Sequence, residues 1–234
     1  MARTVGVVLA AGEGKRIGLG PKAFLSIGGR CILDLAAQGA AACPEIEALV
    51  IAVREGFEEQ AGKVVEVSVP MTIVSGGTTR QESVRLALEA IDADVERVVC
   101  HDAARPFARA ALFSSVLGAL DEAEGAVPVV PLPDTVKRVR DGWVEETVPR
   151  DELRIVQTPQ AFAASVLRDV HREAQRMGMT FTDDAAMLEW AGHRVRTVPG
   201  DPENFKITTP EDIARAERVA LDGPTHTVRN RDRG

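Results

Sequence analysis

VGVVLAAGEGKRIGLGPK, residues 5–22, passes from an apolar run into a basic, glycine-rich loop. The run 5–11 is short and rich in β-branched residues, which predicts a buried strand. Gly12, Gly14, Gly18 and Gly20 then alternate with Lys15, Arg16 and Lys22. Glycine lets backbone N–H groups approach phosphate oxygens, and the cations offset their charge. The stretch therefore predicts a nucleotide or phosphate site at the amino end, set on the tip of a buried strand.

Two common phosphate loops are excluded. A Walker loop requires Ser or Thr after its Gly-Lys pair and a glycine five positions before the second one. Here Arg16 follows Lys15, and Leu9 occupies the glycine place. The dinucleotide fingerprint starts at Gly12 and Gly14 but meets Ile17 where its third glycine belongs, and Arg54 rather than an acid follows the next apolar strand. What remains, L-A-A-G-x-G-x-R followed by P-K, resembles the signature loop of nucleotidyltransferases that activate sugars and polyols with CTP or UTP. The plain alternative is a glycine-rich turn with solvated charges.

Working outward, apolar runs at 46–53, 67–74, 97–100 and 126–132 read as strands, and 32–42, 57–65, 80–91 and 110–124 as helices. Strands alternating with helices predict βαβ units, hence an α/β fold with a Rossmann-like, mostly parallel sheet covered on both faces. Ligands of such sheets sit beyond the carboxyl ends of the strands, where the loops at Gly12, Gly76 and Asp102 would meet.

The alternation breaks at 135–140 and 143–148, which flank Asp141-Gly142, a strong hairpin signal. This hairpin is too polar for a core and reads as an arm, about 133–156, projecting from a single domain that spans 1–221. An isolated hairpin is marginal in water, so it packs most simply on a second subunit, as in a homodimer, or else stands as a solvent-facing flap. Helices follow at 163–177, at 183–191 (capped by Thr182 or Asp183) and at 211–221, with a strand at 194–198. Thr209 is the expected cap of the last helix, with Pro210 at its first position. The tail 222–234 reads as loose.

A net charge of −7 argues against a nucleic-acid surface. It leaves room for a small anionic substrate, because a local cluster of cations can oppose the global sign. Of the five lysines, only Lys63 lies outside a motif named here. No apolar run reaches the length of a membrane span. Cys31, Cys43 and Cys100 are odd in number and lack metal-ligand spacing, which fits reduced thiols in a cytoplasmic protein.

The combination of LAAGEGKR, PKAF, SGGTTRQESV, VCHDAARPF, PDTVKR, QTPQAF, TDDAAMLE and ENFKITTPED, in that order over about residues 5–212, resembles the 2-C-methyl-D-erythritol 4-phosphate cytidylyltransferases of the non-mevalonate isoprenoid pathway. Leu9, where many relatives have Pro, and Ala23, where Gln is common, are small departures. The resemblance implies attack by the methylerythritol phosphate on the α-phosphorus of CTP, with pyrophosphate leaving and Mg²⁺ bridging the triphosphate. It implies that Arg16 and Lys22 stabilise charge on the α-phosphate, and that Arg150 and Lys206 orient the second phosphate. Ala10, Ala11, Gly12, Gly14, Gly76, Arg80, Ser83, Asp102 and Ala103 would then hold CTP, with Asp102 the carboxylate near the metal. Arg105, Thr135, Lys137, Thr158 and Thr182 would form the rest of the methylerythritol pocket.

Each residue also has a plain reading, such as a salt-bridge partner for Arg80 or a helix cap for Thr182. A cytidylyltransferase for another polyol phosphate, such as ribitol 5-phosphate, is the nearest rival. A nucleotide-binding module without turnover is the rival from a different class.

Overall fold

The structure is a computed structural model, which describes residues 2–12 and 22–221. Arg16, Gly14 and the tail 222–234 lie outside the described residues.

The chain runs β1 (Thr4–Ala10), β2 (Ser26–Ile27), β3 (Arg30–Cys31), α1 (Ile32–Ala41), β4 (Ala48–Val53), α2 (Glu58–Val64), β5 (Met71–Ser75), α3 (Arg80–Glu89), β6 (Arg97–Asp102), α4 (Ala110–Gly118) and β7 (Gly125–Pro131). It continues with β8 (Val136–Arg140), β9 (Trp143–Val148), β10 (Arg154–Val156), β11 (Gln160–Ala163), α5 (Ala164–Arg176), α6 (Asp184–Trp190), β12 (Val195–Pro199) and α7 (Pro210–Leu221). Eight strands form one sheet in the order β10-β7-β11-β6-β1-β4-β5, with β12 also paired to β7. The pairings of β1 with β4 and β6, of β4 with β5 and of β12 with β7 are parallel. The expected mostly parallel α/β sheet is thus present.

β1 is the axis of the sheet. Its side chains point alternately to two cores, as a strand's period of two requires. Val8 and Ala10 join a cluster with Leu33 and Ala37 of α1, Ala61 of α2 and Phe113 of α4. Val5 and Val7 join another with Val84 and Leu88 of α3, Leu167 of α5 and Met187 of α6. Helices therefore cover both faces, and each fully buried Val or Leu contributes about 1.5–3 kcal/mol. Gly39 of α1 has a packing reason: a Cβ there would lie 2.4 Å from the carbonyl oxygen of Ala108.

After β1 the chain builds β4 and β5 on one side and then crosses to β6 on the other. This reversal opens a crevice at the carboxyl ends of β1 and β6, the place where open α/β sheets bind ligands. The register sets Leu9 level with Asp102 and Ala10 level with Val53. The Ala103 N–H closes the crevice floor by donating to the Leu9 carbonyl at 3.0 Å.

β11 is a strand that the sequence reading does not contain. It runs antiparallel between β6 and β7, pairing Gln160 with Cys100 and Ala161 with Ala126. The hairpin β8–β9 pairs with no other strand among the described residues. Its turn residues Asp141 and Gly142 both have positive φ, 49° and 84°, the conformation a two-residue Asp-Gly loop requires.

Candidate active site

A cleft of about 410 Å³ opens at the predicted edge of the sheet. Three segments carried by three parallel strands line it: 9–12 at the end of β1, 77–80 between β5 and α3, and 102–104 at the end of β6. Lys22, Lys206 and Thr208 close it from outside the sheet. Of the residues predicted to bind nucleotide, Ala10, Ala11, Gly12, Arg80, Ser83, Asp102 and Ala103 line this one space, together with the predicted catalytic Lys22 and Lys206.

The loop before α3 is held by its own sequence. Thr79 accepts a hydrogen bond from the Glu82 N–H at 3.0 Å, and the Glu82 carboxylate accepts from the N–H and hydroxyl of Thr78. Thr79-x-x-Glu82 has the sequence of a capping box, with the return bond made to Thr78 just before the cap, a signal legible in TTRQES that the sequence reading passes over. Gly76 lies just behind this loop, where a Cβ would come within 2.5 Å of the Ala11 Cβ and 3.0 Å of the Ser83 hydroxyl. Only glycine lets the β5 loop sit this close to the β1 loop.

Asp102 is the centre of the charge pattern. One of its oxygens accepts from Arg80 Nε at 3.2 Å, the other from Lys206 Nζ at 2.6 Å. Burial alone would raise its pKa, but Arg80 and Lys206 outweigh burial and hold the carboxyl well below the usual carboxylate range. Arg80 reaches further, donating through Nη1 to the buried Asp184 at 2.6 Å. Breaking a buried pair of this kind from one side costs about 3–5 kcal/mol, because the remaining charge is left uncompensated.

Behind Asp102 a chain of hydrogen bonds fixes the loop. The Asp102 N–H donates to the Thr158 hydroxyl at 3.0 Å, and that oxygen lies 3.1 Å from His101 Nδ1. The other ring nitrogen of His101 faces the Arg105 carbonyl at 3.1 Å, which can only accept. Nε2 therefore carries the proton, and the Thr158 hydroxyl donates to Nδ1. Burial is the main cause pushing the His101 pKa down to about 4, against the opposing pull of Asp102. The ring is neutral at pH 7.

Lys206 is placed by its neighbours. Ile207 is fully buried in a small cluster with Ile27, Ile32 and Ala216, and its N–H donates to the Ala104 carbonyl at 2.8 Å. Lys22 Nζ donates to the Ile207 carbonyl at 2.6 Å. Asn204 and Gln157, which the sequence reading does not single out, clamp the same segment from behind. Asn204 Nδ2 donates to the Thr158 carbonyl at 2.8 Å, and Gln157 Nε2 to the Asp201 carbonyl at 2.8 Å.

The matching family model, described as IspD: 2-C-methyl-D-erythritol 4-phosphate cytidylyltransferase, covers residues 4–221. The chain belongs to the IspD family. A 2-C-methyl-D-erythritol 4-phosphate cytidylyltransferase of Deinococcus radiodurans is 40% identical over 233 residues, covering 99% of this chain and 96% of that protein. A bifunctional enzyme IspD/IspF of Nitrobacter winogradskyi is 43% identical over 222 residues, covering 92% of this chain and 55% of that protein, so the chain spans about half the length of such bifunctional relatives. The crystal structure of the cytidylyltransferase from Thermus thermophilus superposes with a TM-score of 0.79 at 37% identity, covering 94% of this chain and all of that one.

Among the described residues, Gly76 and the acceptor-side residues singled out through the IspD resemblance do not line the cleft. Arg105 donates to the Asn204 carbonyl at 2.8 Å, and burial lowers its pKa despite Asp102. Thr158 is buried, its hydroxyl committed to Asp102 and His101. Thr135, Lys137 and Arg150 are exposed on and beside the hairpin. There Lys137 donates to the Thr147 hydroxyl at 2.5 Å and Arg150 to the Pro133 carbonyl. Thr182 is exposed just before α6, whose cap is Asp183, accepting from the Ala186 N–H at 2.9 Å.

Proposed function

We propose that this chain transfers CMP from CTP to 2-C-methyl-D-erythritol 4-phosphate, releasing pyrophosphate and forming 4-diphosphocytidyl-2-C-methyl-D-erythritol. Membership of the IspD family supports the reaction. The observation that carries the mechanism is the convergence of Lys22, Arg80 and Lys206 on one cleft.

The difficulty of the reaction is bringing two polyanions together. At an effective dielectric near 20, each pair of unit charges about 4 Å apart costs about 4 kcal/mol. The attacking phosphate and the leaving pyrophosphate are both already anionic oxygens, so no general base is required. Catalysis is then positioning plus electrostatic stabilisation. In this reading Lys22, with Arg16, stabilises the α-phosphate as it is attacked. Lys206, with Arg150, orients the attacking phosphate. The loop residues Ala10, Ala11, Gly12 and Gly14 cradle CTP, with Gly76, Arg80 and Ser83 near base and ribose and Ala103 beside Asp102 as a neighbour of the nucleotide and its metal. Arg105, Thr135, Lys137, Thr158 and Thr182 belong to the acceptor side, Thr158 through the backbone it fixes.

A Mg²⁺ ion fits the donor set in one mode. Asp102 is an ionised carboxylate facing the cleft, and Mg²⁺ in phosphoryl-transfer sites takes one or two carboxylates and completes its shell with phosphate oxygens and water. Among the described residues no three His, Cys, Asp or Glu cluster into a closed cage, so Asp102 would hold the ion together with the nucleotide. Its chemistry there is neutralisation of the triphosphate.

The hairpin supports a homodimer. Val139, Trp143 and Val144 are exposed on it, Trp143 at 79%, and a lone two-stranded ribbon needs a surface to pack against. A cytoplasmic location fits the free thiols of Cys31, Cys43 and Cys100. No helix among the described residues is long and apolar enough to cross a membrane.

The test is pyrophosphate release by the purified chain with CTP and Mg²⁺, adding each acceptor in turn. Release is expected with 2-C-methyl-D-erythritol 4-phosphate and not without it. Equal turnover with ribitol 5-phosphate would overturn the acceptor assignment, and no turnover with any acceptor would leave only nucleotide binding.

A further inference from the structure

Asp184 lies in the family stretch TDDAAMLE, yet no step of the transfer uses it. Its carboxylate is fully buried at the start of α6. One oxygen accepts from Arg80 Nη1 at 2.6 Å, and the other faces His171 Nε2, itself buried, at 3.2 Å. Because an ionised carboxylate only accepts, His171 Nε2–H is the donor. The guanidinium is thus divided between two carboxylates of different kinds. Asp102, reached through Nε, stands in the cleft and also holds Lys206. Asp184 is sealed beneath it. The third nitrogen, Nη2, is buried without a hydrogen-bond partner among the described residues.

This division solves a problem that the cleft would otherwise face. When substrates arrive, the attacking phosphate competes with Asp102 for Lys206 and the nucleotide's Mg²⁺ competes for the Asp102 carboxylate, which has to be free to change partners. Were Asp102 the sole counter-ion of Arg80, every such exchange would leave a half-buried guanidinium unpaired, which is strongly unfavourable.

We propose that Asp184 is a positioning residue for CTP binding: it is the fixed counter-ion of Arg80, held in place by His171, so that Asp102 is the exchangeable one. Arg80 then keeps its direction toward the cleft whatever Asp102 does. The proposal rests on the reading above that Arg80 contacts CTP.

The experiment is calorimetric titration of CTP into the full chain, with and without Mg²⁺, for the wild type, Asp184→Asn, Arg80→Gln and the double variant, alongside KM and kcat. Asp184→Asn removes charge without changing shape. It is expected to weaken CTP binding about 10-fold, the scale of one charge-assisted hydrogen bond, with kcat at saturating CTP moved far less. In the Arg80→Gln background the same change should add nothing, since Asp184 acts through Arg80. At the far end of the chain, His171→Gln, whose amide can donate in place of Nε2, should bind CTP at least about threefold more tightly than His171→Leu.

A merely structural role predicts lowered melting temperatures in Asp184→Asn and both His171 variants with CTP affinity intact, and that result overturns the proposal. So do losses that multiply in the double variant, or equal affinities for the two His171 variants. If Asp184→Asn does not fold, the His171 pair decides the matter alone. A wild type that binds no CTP overturns the functional reading and this inference with it. A wild type that binds CTP alongside an Asp184→Asn variant that binds equally overturns this inference only.

Discussion

Lys22 donates to the carbonyl of Ile207, the residue next to Lys206, so two of the cleft's cations are tied to one short segment. Their spacing is therefore set before any substrate arrives, which is what electrostatic stabilisation of a transition state requires. Lys22→Ala is expected to lower kcat by about 10²-fold, the usual loss for one preorganised charge donor, while CTP affinity measured by calorimetry changes only a few-fold. A rise in KM with unchanged kcat would contradict that role. His101 makes a separate, pH-dependent statement. Its folded pKa of about 4 lies below the ordinary 6.5, so the unfolded chain binds the extra proton first as pH falls. The stability it contributes is complete above pH 6.5 and is lost progressively as pH falls to about 4. The size of that loss is about 3 kcal/mol. Asp102 and Asp184, both with lowered pKa values, keep their charge through this window and lose their contribution only at lower pH. Urea midpoints measured from pH 7 to pH 4 should fall steeply for the wild type and less for His101→Gln. Parallel curves for the two proteins would show that the imidazole is not the group responsible.

The hairpin β8–β9 carries its stabilising contacts on its own surface. The pairs Arg138 with Glu146 at 2.6 Å and Arg140 with Glu145 at 2.9 Å are exposed, and such pairs contribute about 0–1 kcal/mol each. They cannot order a ribbon alone, whereas burial of Trp143 and Val144 could. Replacing both with Asp is expected to turn a dimer into a monomer in sedimentation experiments. A wild type that already sediments as a monomer would make the arm a solvent-facing flap. Most elements were legible because their apolar runs are long enough to show a period. The exceptions have local causes. β5 begins at Met71 rather than 67 because Pro70 cannot donate to the ladder. α4 ends at Gly118, and the expected continuation toward 124 becomes a 3₁₀ turn at Ala119–Asp121. β11 is only Gln160–Ala163, too short for alternation to register, and its first residue is a buried Gln. Nothing in its composition announces that it runs antiparallel to both of its neighbours.

At the scale of the molecule, the mostly parallel sheet could be read from the alternation of elements, and the position of the cleft from the rule that ligands gather beyond the carboxyl ends of the strands. Gly12, Gly76 and Asp102 were each visible within motifs, and the parallel register brings them to one edge of the sheet. What the sequence could not display is pairing across distance. Arg80 and Asp184 are 104 residues apart, as are Lys206 and Asp102, and no spacing rule links them. For the same reason Asn204 and Gln157 stay hidden inside motifs whose other members draw attention. One such long-range link bears on how genes of this kind can recombine. The Thr158 hydroxyl, just ahead of β11, joins Asp102 to His101 at the end of β6, so one shared device is written in two separate pieces of message. A crossover with a distant relative anywhere between them hands the offspring half of that device from each parent, and the halves fit only if both parents spelled them alike.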